Sequence, residues 1–169
     1  MKPLSEENTV NLPDVDSDQS GTIYIVDISG YTTFVKETKN AVGLLSVSRL
    51  LQEIISANNT FFNISEIEGD AVLFYRFVTP YQIDVVLSQF EAMLLAFNNM
   101  IDKLKIYGKT VTLLSIKSVV HYGVISKFSI GRFEKLYGKP LIEAHRLLKN
   151  SIKRNVLLNY RAVHRHIVK

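Results

Sequence analysis

Two aspartates in this sequence stand where an acid can do more than turn the chain. Asp27 ends the strand-like run "TIYIVDI" and leads straight into Ser29, Gly30, Tyr31 and Thr32, while Asp70 closes "EGD" between two further apolar runs. Two buried carboxylates set side by side repel, and one takes up a proton unless a cation stands between them. A divalent ion is the simplest resolution. The turn after Asp27 adds backbone N–H groups and hydroxyls of a kind that suits phosphate oxygens. Each aspartate also reads as an ordinary turn residue, so the choice depends on whether the fold brings the two together.

Composition narrows the chemistry. The chain of 169 residues contains no cysteine, which removes disulfides, thiolate metal sites and cysteine nucleophiles at once. Any metal must then be held by oxygen or imidazole, which favours magnesium, manganese or calcium. No run approaches the roughly 18 consecutive apolar residues that span a bilayer, and the start lacks the apolar stretch of a signal peptide, so no membrane span and a cytoplasmic setting are expected. The net charge of +4 conceals an asymmetry, because residues 1–20 are acidic whereas the stretch from Arg146 to Lys169 carries lysines and arginines and no acid. Such a stretch is either a solvated basic face or a contact for an anionic partner.

The elements that must position the two acids follow from periodicity. Residues 1–20 are polar and without pattern and read as a flexible leader, with one domain over 21–169. "TIYIVDI" predicts a first strand, and Val42, Leu45, Leu50, Leu51, Ile54 and Ile55 predict a helix over 41–57. "TFFNISEI" and "AVLFYRF" flank the Glu68-Gly69-Asp70 turn as a hairpin. Pro80 is expected to open a long helix with Leu87, Phe90, Leu94, Phe97, Ile101 and Leu104 along its buried face. "TVTLLSIKSVVHYG" and "VISKFSI" read as two more strands, Pro140 opens a third helix, and "NVLLN" reads as a last short strand. The order β, α, β, β, α, β predicts an α+β, ferredoxin-like antiparallel sheet with two helices on one face, which sets Asp27 beside Asp70.

At this point the residues carry a resemblance. "DISGYTTF" resembles the block that opens the catalytic domain of class III adenylyl and guanylyl cyclases, and "EIEGDAVLFYRF" resembles their Gly-Asp block and following strand. "VVHYG" is similar to the family's I-H-x-G strand, and "YGKPLIEAHRLL" to its arginine-bearing helix, with Gly138 and Arg146 at the family's separation. The resemblance implies two magnesium or manganese ions held by Asp27, Asp70 and the carbonyl of Ile28, with Gly30, Tyr31 and Thr32 near the outer phosphates of a nucleoside triphosphate. It implies a homodimer in which Arg146 reaches the partner's site and stabilises charge developing on phosphorus, giving a 3′,5′-cyclic nucleotide and pyrophosphate.

Two positions depart from that pattern. The family's transition-state asparagine, four residues before the arginine, is Ile142 here, which donates nothing, and loss of such a donor typically costs about 100- to 1000-fold in rate. Where adenylyl cyclases select their base with a lysine and an aspartate, this chain has Glu66 and Lys135. That polarity fits guanine, so GTP competes with ATP as the expected ligand, unless the two side chains satisfy one another. His121, His145 and Glu68 read as packing or solvated residues, and His164, Arg165 and His166 as a basic tail. The phosphate-binding lysine of the family aligns securely with neither Lys153 nor Lys169. The alternatives are therefore a weak cyclase, and a cyclase-homology domain that senses a nucleotide or only dimerises. Nucleic acid is not expected as a partner, because the first strand has one tyrosine and no aromatic-glycine signature of RNA-binding sheets.

Overall fold

In a computed structural model the backbone is described over residues 15–149 and side chains over 18–149. Five strands form one sheet: β1 (Val15–Ser29), β2 (Asn63–Glu68), β3 (Ala71–Arg76), β4 (Ser115–Ile130) and β5 (Phe133–Tyr137). Four helices accompany them: α1 (Tyr31–Glu37), α2 (Asn40–Ser56), α3 (Ile83–Leu104) and α4 (Lys139–Lys149). The sheet order is β2-β3-β1-β4-β5 with every neighbouring pair antiparallel, which is the expected ferredoxin-like plan extended by one edge strand.

Alternation along β1 builds two cores. Tyr24, Val26 and Ile28 face one side, where they pack with Phe34, Leu50, Ile54, Met93 and Phe97 from α1, α2 and α3. Each such fully buried side chain contributes about 1.5–3 kcal/mol. Ile23 and Ile25 face the other side and pack with Leu73, Ile125 and Ala144, so α4 covers the face that α2 and α3 leave open. Burial on both faces explains why "TIYIVDI" reads as an almost unbroken apolar run.

Several boundaries differ from the periodicity reading, each for a physical reason. β1 begins at Val15, within the segment read as leader, because the long β4 supplies a partner there and Val15 pairs with Phe128 past a bulge at Asp16/Gln19. α3 begins at Ile83 rather than at Pro80, with Gln82 in extended conformation before it. Its most buried line is Val86, Gln89, Met93, Phe97, Ile101 and Leu104, which puts Leu87, Phe90 and Leu94 on the shoulder. Gln89 belongs in that line because its amide holds the loop before β2: Oε1 accepts from the N–H of Asn59 at 2.8 Å and of Thr60 at 2.9 Å, and Nε2 donates to the Ala57 carbonyl at 2.7 Å. The two strands expected around Gly123 are one, and residues 109–113 are a 3₁₀ turn. "NVLLN", with the rest of the basic tail, lies outside the described residues.

Candidate functional site

β1 delivers Asp27 at its end, and a tight glycine turn delivers Asp70 beside it. Asp27 sits opposite Ala71 of β3 on one side and Lys117 of β4 on the other. The Ile28 N–H donates to the Asp70 carbonyl at 3.1 Å, which fastens the β2–β3 turn against the end of β1. Gly69 takes φ +60° in that turn, a conformation that favours glycine. Gly30 also has positive φ, and a Cβ there would stand 2.8 Å from the Leu113 carbonyl oxygen, so only glycine fits the step from β1 into α1. Tyr31 and Thr32 form the first turn of α1.

The two acids are close enough for the charge of one to act on the other. Burial first, and the Asp27 charge second, push the Asp70 carboxyl above the usual aspartate range. The cation found at the site is one that sequence spacing missed. Lys117 Nζ lies 3.1 Å from Asp27 Oδ2 and donates to the Leu148 carbonyl at 3.0 Å. A lysine between Ile116 and Val119 in a half-buried strand is an unusual signal, but its partner follows only from the β1–β4 register.

In donor chemistry the pair fits a divalent ion: two carboxylates converge from neighbouring strand ends, and a dication would relieve their repulsion. Among the described residues no group of three or more His, Asp or Glu side chains converges as a metal-binding set. Carbonyl, water and ligand oxygens would complete the shell, as magnesium ordinarily accepts.

The base-selecting candidates meet each other. Lys135 Nζ donates to Glu66 Oε2 in an ion pair that links β5 to β2, and this contact pushes the Lys135 ammonium above its ordinary range. A small pocket beside them is lined by Ile64, Ser65, Tyr75, Lys127, Glu134, Lys135 and Leu136.

α4 runs back along β4 on three anchors. Pro140 packs over Gly123, Glu143 Oε2 meets His121 Nε2 at 2.9 Å, and the Leu148 carbonyl takes Lys117. Ile142 and Arg146, one turn apart, consequently face outward, Ile142 with 55% of its surface exposed. They are not gathered with Asp27 and Asp70 in this chain.

Comparison with known proteins supports the fold. A family model described as "Protein of unknown function (DUF2652)" matches residues 47–156. No curated protein matches the chain. Among solved structures, the chain is similar to the adenylyl cyclase CyaB from P. aeruginosa, with TM-score 0.68 and 18% identity over 79% of this chain and 72% of that one. It is similar to the guanylyl cyclase Cya2, with TM-score 0.66 and 15% identity over 78% and 70%. A class III adenylyl cyclase-like ATP-binding protein from Pseudomonas aeruginosa gives TM-score 0.65 and 18% identity over 76% of this chain and 31% of that one. At these identities the likeness is one of fold, and the fold is that of the cyclase domains. Among the described residues no helix is long and apolar enough to cross a membrane.

Proposed function

The chain belongs to the family described as Protein of unknown function (DUF2652), and we propose that its cyclase-like domain binds a metal–nucleoside triphosphate and cyclises it slowly. The observation that carries this reading is the convergence of Asp27 and Asp70, where the charge of one raises the proton affinity of the other. Two carboxylates brought together at the end of β1, with a lysine already on one of them, form an apt arrangement for holding a cation.

Asp27, Asp70 and the Ile28 carbonyl would hold magnesium or manganese, two ions per site. Such ions lower the pKa of a ribose hydroxyl and neutralise phosphate charge when bound. Gly30, Tyr31 and Thr32, where α1 leaves β1, would lie along the outer phosphates. Arg146 faces outward on α4 and would act on a second copy, so the working unit is a homodimer. In it the guanidinium would stabilise charge on the transferring phosphorus. Glu66 and Lys135 offer an acceptor and a donor that match guanine N1–H, its amine and O6, but they satisfy one another in an ion pair, so the ligand is GTP or ATP. The base would have to separate the ion pair.

A second reading, binding without turnover, is favoured by Ile142. An apolar side chain stands exposed one turn before Arg146, where the resemblance calls for a donor. An assay for cyclic nucleotide and pyrophosphate with Mn²⁺ and each triphosphate, run beside a binding titration, separates the readings. Slow cyclic product that disappears in Asp27→Asn supports the cyclase. Asp27-dependent binding without product supports the sensor, and absence of binding overturns both.

A further inference from the structure

We propose that Lys117 is the resident cation of the Asp27–Asp70 pair, and that a divalent metal enters only by displacing its ammonium from Asp27. The inference rests on reading those aspartates as the cation-holding pair, but it concerns a lysine which that reading does not use.

The geometry is direct. Lys117 Nζ stands 3.1 Å from Asp27 Oδ2, and Asp27 is only 16% exposed at the side chain, so few other groups reach that oxygen. A compact ammonium and a divalent ion compete for the same carboxylate lone pairs and repel one another. With Nζ seated on Oδ2, a dication that arrives at Asp27 meets the ammonium charge at close range.

The second contact of the ammonium makes the exchange consequential. Nζ also donates to the carbonyl of Leu148, one of the last carbonyls of α4, which the helix itself leaves without a partner. A cation there also suits the negative end of the helix. Drawing Lys117 off Asp27 therefore disturbs the anchor that fixes the end of α4, the helix that carries Arg146. Site loading and the seating of α4 share one side chain.

The test uses Mn²⁺ alone, without nucleotide, on the full chain. Lys117→Met should bind Mn²⁺ about tenfold more tightly or better than wild type, the scale on which one adjacent charge shifts a carboxylate equilibrium. Equal or weaker binding in Lys117→Met overturns the proposal. A second measurement needs no variant. Limited acetylation of the wild-type chain, followed by peptide mass spectrometry, should show Lys117 reacting faster as Mn²⁺ is added while exposed Lys103 stays constant. An unchanged Lys117 rate overturns the proposal as well. Failure of the proposed function would appear separately, as absence of nucleotide binding in wild type and Lys117→Met alike.

Discussion

Gly123 in β4 lies directly beneath Pro140 at the start of α4, so close that a Cβ on Gly123 would stand 2.7 Å from Pro140 Cγ. The proline ring is rigid and α4 continues from it, so the contact has little room to relax. Gly123→Ala should destabilise the fold by roughly 1–3 kcal/mol, the usual cost of overpacking. Urea unfolding measures it, and Gly123→Ala combined with Pro140→Ala should recover part of the loss. An unchanged midpoint in the single variant would show that α4 is not seated on the strand at this point.

Asp70 and Asp27 should respond to neutralisation in opposite directions. Asp70 has a raised pKa in the folded protein, so its contribution is full below the ordinary value of 3.8 and is lost as pH rises through the folded value. Removing that charge relieves the native state. Without metal, Asp70→Asn should stabilise the protein at neutral pH and leave its stability unchanged near pH 3. Asp27→Asn strands Lys117 and should destabilise it. Thermal melts across pH 3 to 8 test both, and a destabilising Asp70→Asn at neutral pH would contradict the electrostatic account.

Gln89→Leu should cost about 2–3 kcal/mol, although leucine suits a buried helix face. The change removes the acceptor for two backbone N–H groups and the donor for one carbonyl, all in part-buried bonds, and leaving such groups unpaired costs more than the bonds alone. Hydrogen exchange should show Asn59 and Thr60 losing protection before the rest of the sheet. Uniform loss of protection would mean that Gln89 acts through packing alone.

Ile142→Asn should raise cyclic nucleotide production by roughly tenfold or more, towards the about 100- to 1000-fold typical of one transition-state donor. Arg146→Ala should reduce any activity by a similar factor. Both side chains are exposed, so neither change should move the melting temperature by more than about 2 °C. If Ile142→Asn leaves turnover unaltered while Arg146→Ala abolishes it, the missing donor is not what limits the rate.

Those parts of the fold that rest on local pattern were legible in the sequence. The Asp27–Asp70 juxtaposition followed from a strand end, a glycine hairpin and one topology, all of them short-range signals joined by a general rule. Ile142 and Arg146 share a face because four residues make about one helical turn, and no tertiary information was needed. Lys117 was not legible, since its meaning lies in standing opposite Asp27, and register between strands some 90 residues apart is not written in either strand. Gly123 was misread as a strand boundary because glycine ordinarily weakens strands. Here it is kept for the proline that packs on it. Tyr31 and Thr32 read as part of a turn because the seven residues of α1 are too few to show helical periodicity.

The three anchors between α4 and β4 act as an index. Lys117, His121 and Gly123 are separated by even numbers of residues, so all three project from the same side of the strand. On the helix, Pro140, Glu143 and Leu148 fall within one inward arc at about 100° per residue. The helix can therefore neither roll nor slide by one residue without losing all three contacts together. A single residue inserted into β4 between Lys117 and His121 would put the strand half a pleat out of phase and turn Arg146 away from the direction in which it now points.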